Sequence, residues 1–437
     1  MKPEEVFKRY DIRGEYPEEL DEEFAERLGK ALGTFTIRNY SKEEIIVSRD
    51  NKDSSKPLKQ ALIEGLTSTG LRIVDIGVGP TDYTAFGGKE NNSVSVQVTS
   101  SHMPLEFNGF KFMYPEGNGF VNEDLNTVKE LFRSQDLTEG KGEALNSEKD
   151  MKKLYRSRIK EEAESLGSES LDLTVAVDTL GGATTDFLPS LLEDMGANVI
   201  DISERHENQP YRDPPNPKPE QLKELKEEVE KGDADLGLAT DMDGDRVAAY
   251  TDRFISGDEI FSIVAHKVGG DGVASIDTSK AIEDLLKSRD DEVFYTRVGD
   301  PFVMDKALEQ SVSFAGEPNG HYSVLDFVPY NSGTLTALIL AGTDIESCLE
   351  DKPDYFVERY SFETDEKFEK IERIKQKVKD RYVFVSDIDG VKFETDNLDV
   401  LVRPSGSSPK IRVIAESKGK KYLEDELDGV RNMIENA

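Results

Sequence analysis

The sequence predicts an α/β fold of three similar domains with mixed parallel sheets, followed by a smaller C-terminal α+β domain. The first observation is a unit that recurs at Asp50, Asp178 and Asp277: a strand that ends in aspartate, a polar turn, an amphipathic helix and a second strand. Such βαβ units build largely parallel sheets. The second observation is that this strand–turn–helix–strand pattern does not continue after about residue 351.

The three copies of the unit follow one another along the chain. They are "EEIIVSRD", "KPLKQALIEGLTSTG" and "LRIVDIG"; then "LTVAVD", "TDFLPSLLEDMG" and "ANVIDI"; then "GVASID", "SKAIEDLLKS" and "EVFYTRVG". The middle segment of each copy has apolar residues at helical spacing, and the flanking segments are short and apolar. Each copy therefore predicts one α/β domain.

The joints between these units predict the domain boundaries. The polar, glycine-containing segment 134–150 predicts the first boundary, and the five prolines of 208–220 predict an ordered loop inside the second domain. In the last part, "DEKFEKIERIKQKVKD" places Phe368, Ile371, Ile374 and Val378 on one helical face, and "NLDVLVRPSGSSPKIRVIAES" predicts two strands around a turn. We place the domains at 1–143, 144–248, 249–352 and 353–437.

Charge and cysteine content exclude several classes of function. Lys and Arg number 55 and Asp and Glu 89, which gives a net charge of −34 that repels nucleic-acid phosphates. The charge is spread through segments with periodic apolar residues, which favours a folded protein of a salt-rich cytoplasm over an ordinary acidic one. Cys348 is the only cysteine, so neither an intrachain disulfide nor a cysteine zinc site forms. Without a signal-peptide core or a long apolar run, we expect a cytoplasmic protein that contacts no membrane.

The first loop that carries candidate catalytic residues is "VTSSHMPLEFNGFKF" (98–112), which follows the alternating segment "SVSVQV" (93–98). Ser101 stands beside His102, a pair that indicates a nucleophile. The G-x-S-x-G turn of hydrolases is missing, however, so the pair does not indicate ester hydrolysis.

The second loop, "ATDMDGDR", brings Asp241, Asp243 and Asp245 to the carboxyl end of a short apolar strand. Their mutual repulsion is costly unless a cation neutralises it, and an all-oxygen donor set suits Mg²⁺. An EF-hand is excluded because Arg246 and Asp252 stand where that loop needs glycine and glutamate. A solvated acidic turn is the alternative, although the adjacent arginine favours a bound phosphate as well.

Two further loops carry polar groups in turns between strands. "RPSGSSP" (403–409) combines a guanidinium, hydroxyls and the backbone of a glycine, which predicts a phosphate site or, alternatively, an ordinary β-turn: Arg403, Ser405, Gly406 and Ser407. "AGEPNGHY" (315–322) offers a carboxylate, an amide and an imidazole that suit sugar hydroxyls: Glu317, Asn319 and His321. Together the four loops predict phosphoryl transfer on a phosphorylated polyol.

The order of these motifs resembles the α-D-phosphohexomutases, the superfamily of phosphomannomutase, phosphoglucomutase and phosphoglucosamine mutase, over nearly the whole chain. "YDIRG" (10–14) resembles the N-terminal motif of that superfamily and "TSSHMP" (99–104) its T-A-S-H-N-P phosphoserine loop. "DMDGDR" resembles its D-x-D-x-D-R metal loop, "GEPNGH" its G-E-x-S-G sugar loop and "RPSGSSP" its R-P-S-G-T-E-P phosphate loop. The resemblance implies four domains around a central cleft.

The resemblance also implies a reaction and a role for each residue. Ser101 is expected to carry the shuttled phosphate and to complete the magnesium site of Asp241, Asp243 and Asp245. The hexose 6-phosphate and 1-phosphate, of mannose and/or glucose, would interconvert through a bound hexose 1,6-bisphosphate. The remaining residues are expected to be Lys111 as acid/base with His102 as its rival, Arg13 and Arg246 at the transferring phosphate, and Arg297 at the sugar.

Three positions depart from the motifs of the superfamily: Met103, Asn319 and Ser408 replace asparagine, serine and glutamate. Substrate preference is therefore left open, and a phosphoglucosamine mutase is the alternative within the superfamily. A catalytically idle sugar-phosphate binding protein is the alternative from another class. A magnesium-dependent phosphatase is excluded because the D-x-D-x-[TV] pattern is missing. The expected partner is a small sugar phosphate, and the expected state is a monomer or homodimer.

Overall fold

The first α/β domain contains a mixed sheet in the strand order β1–β5–β4–β2–β3–β6. The structure is a computed structural model that describes residues 5–40, 43–134, 136–350, 352–406 and 408–437. The strands are Ile12–Glu15 (β1), Glu44–Arg49 (β2), Arg72–Val78 (β3), Val94–Val98 (β4), Phe107–Met113 (β5) and Glu143–Asn146 (β6). Strands β2, β3, β4 and β6 are parallel, and β5 is antiparallel to both β4 and β1. The helices are Glu22–Tyr40 (α1), Ser55–Thr67 (α2), Thr81–Asn91 (α3) and Asn122–Arg133 (α4).

The second domain has the strand order β11–β10–β9–β7–β8. Its strands are Thr174–Asp178 (β7), Asn198–Asp201 (β8), Leu236–Thr240 (β9), Val247–Tyr250 (β10) and Phe254–Ile255 (β11). Strands β8, β7 and β9 are parallel, whereas β10 and β11 are antiparallel to their neighbours. The helices are Glu148–Ser165 (α5), Leu188–Asp194 (α6), Lys223–Glu230 (α7) and the short 3₁₀ segment Ser203–His206.

The third domain repeats this plan with the strand order β13–β12–β14–β15. Its strands are Gly272–Ser275 (β12), Val293–Thr296 (β13), Phe314–Glu317 (β14) and His321–Val324 (β15). Strand β12 is parallel to β13 and β14, and β15 is antiparallel to β14. The helices are Gly257–Val268 (α8), Ala281–Lys287 (α9), Asp300–Gln310 (α10), Gly333–Ala341 (α11) and Ile345–Glu350 (α12).

The C-terminal domain contains an antiparallel sheet in the order β16–β20–β19–β18–β17. Its strands are Phe356–Glu363 (β16), Val383–Ser386 (β17), Val391–Glu394 (β18), Asp399–Pro404 (β19) and Lys410–Ser417 (β20). Its helices are Lys367–Arg381 (α13) and Lys420–Glu435 (α14). The buried face of α13 contains Ile371, Ile374 and Val378. Phe368, in the first turn of the helix, is 65% exposed and lies beside Lys367.

The four predicted loops occupy equivalent positions in the four sheets. Each loop joins two antiparallel neighbours: β4 and β5, β9 and β10, β14 and β15, and β19 and β20. In the α/β domains the strand before the loop also belongs to the parallel part of the sheet, so the loop leaves its carboxyl end. This is the edge at which ligands bind in α/β sheets.

A shared hydrophobic core fixes the three α/β domains to one another. It joins Ile46 and Phe86 of the first domain with Phe187 of the second and Phe327 of the third. Beneath it, the Asp82 carboxylate accepts hydrogen bonds from the hydroxyls of Tyr155 (2.7 Å) and Ser332, so one buried group ties the three domains. The C-terminal domain has its own core and meets the third domain mainly through polar contacts.

Two predicted boundaries fall inside strands. The boundary between residues 143 and 144 cuts β6, which pairs with β3, and the boundary between 248 and 249 cuts β10, which pairs with β9 and β11. Polar composition at 134–150 indicated a linker, but a sheet edge tolerates polar side chains on its exposed faces. The boundary at 352 and 353 lies between α12 and β16. Within the described ranges, no helix has both the length and the apolar character that crossing a bilayer requires.

Candidate active site

The serine loop between β4 and β5 holds Ser101 in an unusual backbone conformation. Its φ of +52° lies in the left-handed region, which is costly for a residue other than glycine. The Thr99 hydroxyl accepts a hydrogen bond from the Ser101 amide (2.9 Å) and donates one to Asp50 (2.7 Å). This network orders the turn and directs the Ser101 side chain towards the second domain.

Lys52 lies under the same loop and was not anticipated from the sequence. Its ammonium is buried and donates to the Ser100 hydroxyl (2.6 Å), the Phe107 carbonyl (2.9 Å) and the Pro104 carbonyl (3.3 Å). Burial lowers the pKa of Lys52, and Asp50 counteracts that effect. A lysine two residues after Asp50, the residue that follows β2, was the only available signal, and such a lysine is common in exposed turns.

The acidic loop between β9 and β10 brings its three aspartates into one buried cluster. Oxygen atoms of Asp241, Asp243 and Asp245 lie within 4.8 Å of one another. Gly244, with a φ of +70°, makes the turn that folds the carboxylates together. Burial raises the pKa of Asp241 well above its usual range, and the charges of Asp245 and Asp243 raise it further.

The donor set of this cluster fits a metal ion. Ser101 Oγ lies 3.0 Å from Asp241 Oδ2, and the Lys111 ammonium lies 2.6 Å from Asp243 Oδ2 and 2.5 Å from Asp245 Oδ2. Asp243 Oδ1 is buried and has no hydrogen-bond partner among the described residues. An unpaired carboxylate oxygen inside a cluster of like charges is the position that a cation would stabilise.

Lys111 provides the positive charge at this position in the structure. Burial would lower its pKa, but Asp243 and Asp245 outweigh that effect and raise the pKa well above its usual range. Asp245, one partner of Lys111, shows the opposite shift. Burial would raise the pKa of Asp245, but the charges of Lys111 and His321 outweigh that effect and lower the pKa well below its usual range. Lys111 is therefore charged in this arrangement.

Thr81, at the start of α3, attaches the acidic loop to the first domain. Its backbone amide donates to the Asp243 carbonyl and its hydroxyl donates to Asp243 Oδ2, both at 2.8 Å. A threonine at a helix start has no sequence signal for such a contact, because the two residues meet only when the domains dock. The serine loop, the acidic loop and α3 consequently form one connected site.

The sugar loop between β14 and β15 meets this cluster through His321. The imidazole lies 3.2 Å from Glu317 Oε2 through Nδ1 and 3.2 Å from Asp245 Oδ1 through Nε2. Although burial opposes the charged form, Asp245 and Glu317 raise the pKa of His321 to about 9. The third predicted residue, Asn319, is exposed and accepts a hydrogen bond from the His321 amide (3.2 Å).

The predicted cationic residues surround the serine and the carboxylates. Arg246 donates from its amide to Asp241 (3.2 Å), and its Nε lies 3.1 Å from His321 Nε2. Arg13 forms an ion pair with Asp11 at 2.6 Å. His102 Nδ1 lies 3.2 Å from Ser101 Oγ, and burial together with Arg246 and Arg13 lowers the pKa of His102 below its usual range, so the imidazole is neutral.

Arg297 has no hydrogen bond or ion pair with this cluster among the described residues, and it lies where the N-terminal segment meets α10 of the third domain. Its guanidinium covers the Phe302 ring at 3.5 Å from the ring centroid, and Arg9 approaches the same ring at 4.8 Å. Burial and the neighbouring charge of Arg9 lower the pKa of Arg297. Tyr10 packs edge-on against Phe302, which brings the N-terminal segment to the start of α10.

The phosphate loop of the C-terminal domain is a separate element of the site. Arg403 donates to Asp389 (3.0 Å), and the hydroxyls of Ser405 and Ser408 lie 2.8 Å apart. Lys367 donates to the carbonyls of both serines and so supports the turn that contains Gly406. Ser407 lies outside the described residues. In the described part of the chain, no hydrogen bond joins this loop to the other three.

Three α/β domains and an antiparallel C-terminal domain, with these four hairpin loops, are the architecture of the α-D-phosphohexomutase superfamily. Models of the phosphoglucomutase/phosphomannomutase α/β/α domains I, II and III match residues 4–139, 153–255 and 256–347, and the C-terminal domain matches 360–433. The chain belongs to the phosphoglucomutase/phosphomannomutase family.

Similar proteins support this assignment over the full length of the chain. A phosphoglucomutase/phosphomannomutase of Thermococcus kodakarensis is 32% identical, with 99% of each chain covered. A probable phosphoglucosamine mutase of Methanopyrus kandleri is 32% identical, with 97% of each covered. The crystal structure of a family protein from Burkholderia thailandensis superimposes with a TM-score of 0.87 at 23% identity, over 99% of this chain and 97% of that one.

Proposed function

We propose that this protein is a phosphohexomutase that interconverts hexose 6-phosphates and hexose 1-phosphates through a phosphorylated Ser101. The observation that carries the proposal is the 3.0 Å contact between Ser101 Oγ and Asp241, inside the buried cluster of carboxylates. A serine in that position is suited to carry a phosphoryl group, because a cation held by the same carboxylates would neutralise it.

The proposed reaction consists of two opposite transfers. In the first, the bond between phosphorus and Ser101 Oγ breaks as a bond forms between phosphorus and the free hydroxyl oxygen of the sugar monophosphate. The product is a bound hexose 1,6-bisphosphate. After this intermediate reorients, its other phosphoryl group returns to Ser101, and the isomeric monophosphate leaves.

Lys111 and Arg246 are proposed to act on the transferring group. The attacking sugar hydroxyl must lose its proton, and Lys111, with His102 as its rival, is the candidate base. Mg²⁺ bound by Asp241, Asp243 and Asp245 would neutralise charge on the phosphoryl oxygens. It would also neutralise the carboxylates that stabilise the charged form of Lys111, and so lower the pKa of that lysine. Arg246 and Arg13 would contribute further positive charge beside Ser101.

The remaining loops are proposed to hold the parts of the substrate that do not react. Arg403, Ser405 and Gly406 would bind the other phosphate, together with Ser407. Glu317, Asn319, His321 and Arg297 would contact the sugar. The separation of the phosphate loop from the Ser101 cluster is consistent with a substrate that carries phosphate at one end and a reactive hydroxyl at the other. We propose a small sugar phosphate as the ligand, in a monomeric or homodimeric protein.

An isomerisation assay tests this proposal. The protein is given glucose, mannose and glucosamine 6-phosphates separately, with Mg²⁺ and a catalytic amount of glucose 1,6-bisphosphate. We expect conversion of at least one sugar, loss of that activity in Ser101→Ala, and normal activity in the exposed control Ser157→Ala. Absence of conversion of every sugar by the unaltered protein would overturn the proposal, and binding without conversion would indicate a sugar-phosphate binding protein.

A further inference from the structure

Asp300 is a carboxylate beside the sugar loop, and the motifs assign it no role. It is the first residue of α10, directly after Gly299, whose amide donates to Glu317 Oε1 at 2.8 Å. That bond fixes the start of α10 against the sugar loop. The Asp300 side chain is partly exposed, and among the described residues its carboxylate has neither a hydrogen bond nor an ion pair.

The charged groups around Asp300 belong to the active site. Lys111 and His321 stabilise its charged form, whereas Glu317 and Asp245 oppose it. Burial is the largest influence and raises the pKa of Asp300 to about 6, so the carboxylate is mostly ionised at neutral pH. Burial raises the pKa of Tyr10 and Asp300 raises it further; the Tyr10 ring packs edge-on against Phe302, in the same helix as Asp300.

Several other carboxylates of the site have cationic partners. Glu317 contacts His321, Asp245 contacts both His321 and Lys111, and Asp11 contacts Arg13. Asp300 lacks such a contact; Asp241 lacks one as well, but it accepts hydrogen bonds from the Ser101 hydroxyl and the Arg246 amide, whereas the Asp300 carboxylate has no hydrogen bond among the described residues. A partly buried carboxylate without a partner is costly, and a ligand that brings a positive charge recovers that cost.

A structural role for Asp300 exists as well. A carboxylate in the first turn of a helix interacts favourably with the helix dipole. The interaction with the helix dipole explains why an acidic residue is tolerated at this position, but it does not involve a bound ligand. The two roles differ in their consequence for substrates, because a structural role affects every sugar equally.

We propose that Asp300 selects the substrate by binding the ammonium group of a 2-amino-2-deoxyhexose phosphate. This inference rests on the proposed function and adds the class of sugar. A neutral hexose offers only a hydroxyl at that carbon, and an N-acetylated sugar offers an uncharged amide. A charge-assisted hydrogen bond from the ammonium is stronger than the bond that a hydroxyl supplies to the same carboxylate.

Steady-state kinetics with four 6-phosphates test the inference: those of glucosamine, N-acetylglucosamine, glucose and mannose. We expect the unaltered protein to have its highest kcat/KM with glucosamine 6-phosphate. Asp300→Asn should lower that value by about 10- to 100-fold and change the values for glucose and mannose by less than about threefold. Asp300→Glu, which keeps the charge, should restore part of the preference. The control Asp305→Asn alters a partly exposed carboxylate of the same helix and should leave all values unchanged.

The possible failures are distinguishable. A uniform fall with every sugar in Asp300→Asn, with a melting temperature equal to that of the unaltered protein, would overturn the selective role. A preference of the unaltered protein for glucose, mannose or the N-acetylated sugar would also overturn it, while leaving the mutase function intact. Conversion of no sugar by the unaltered protein would overturn the mutase function itself and the inference with it.

Discussion

The Lys52 ammonium lies 2.6 Å from the Ser100 hydroxyl oxygen, directly beside the residue proposed to carry the phosphate. The same ammonium donates to two carbonyls of the segment that follows Ser101, so one buried cation connects both sides of the loop. Its position helps to explain how Ser101 is held at a φ of +52° without glycine.

Lys52→Met is expected to impair the presentation of Ser101. The substitution removes the donor to the buried Ser100 hydroxyl oxygen, and an unsatisfied buried group costs about 1–3 kcal/mol. The Phe107 and Pro104 carbonyls keep their bonds from the Ser100 hydroxyl and the Phe107 amide, but lose the cation that connects them. We expect kcat to fall more than KM rises, because the sugar and phosphate loops remain intact, and Lys52→Arg should restore part of kcat. Thermal melts and kinetics against the exposed control Lys56→Met check this prediction; an unchanged kcat would contradict it.

The sequence predicted the parts of the site that depend on local chain geometry. The serine, acidic, sugar and phosphate loops each follow a strand, so their place at one edge of a sheet follows from the strand pattern. Lys52, Thr81 and Asp300 were not predicted, because their contacts form between segments that are distant in sequence. Thr81 and Asp243 are 162 positions apart, and only the docking of two domains brings them together.

The sheet edges show the same limit. Polar composition near residue 143 predicted a linker, but β6 pairs there with β3 through its backbone, which any side chain permits. The second boundary was placed inside β10, although this strand pairs with β9 after the acidic loop and still belongs to the sheet of the second domain. Backbone pairing at an edge leaves little signal in composition.

Asp243→Asn is expected to weaken the metal site. Asp243 Oδ1 has no hydrogen-bond partner in the described residues, and removal of its charge reduces the attraction for a cation. We expect Mg²⁺ affinity to fall by at least about 10- to 100-fold, the loss typical of altered outer-sphere partners. Calorimetric titration of Mg²⁺ measures this change, with the exposed Asp233→Asn as control. Equal affinities in the two variants would exclude Asp243 as a ligand.

Stability should depend on pH through Glu416, at the interface of the third and C-terminal domains. Its carboxylate accepts hydrogen bonds from the Ser279 hydroxyl (2.6 Å) and the Lys280 amide (2.9 Å), while burial raises its pKa to about 7. The Glu416 carboxyl binds a proton more tightly in the folded protein than in the unfolded chain. Its contribution to the free energy of unfolding is therefore complete below about pH 4.5 and is lost as the pH rises through about 7.

Glu416→Gln is therefore expected to flatten the dependence of the unfolding free energy on pH between about 4.5 and 7. Urea unfolding in 1 M KCl, which screens the general charge, measures this dependence. Glu358→Gln on the neighbouring strand β16 is exposed and should keep the slope of the unaltered protein. If both variants keep that slope, Glu416 does not titrate in this range.

The net charge of −34 predicts that salt stabilises the folded protein. The Debye length falls from about 30 Å at 0.01 M to about 3 Å at 1 M salt, so long-range repulsion between carboxylates largely disappears. We expect the melting temperature to rise steeply over a KCl series, and mutase activity to persist at 1 M. A melting temperature that stays flat or falls with KCl, together with loss of activity at 1 M KCl, would show that the acidic composition is not an adaptation to a salt-rich cytoplasm.

The most direct test of the account follows a phosphoryl group onto Ser101 and off again. The protein is incubated with ³²P-labelled glucose 1,6-bisphosphate and Mg²⁺, digested, and its labelled peptide is sequenced; a second sample is first chased with an unlabelled sugar 6-phosphate that the isomerisation assay has identified as a substrate. We expect label on the peptide that contains Ser101, its transfer to sugar during the chase, and no labelling of Ser101→Ala. Label on another residue, label that persists in Ser101→Ala, or label that the sugar cannot remove would contradict it.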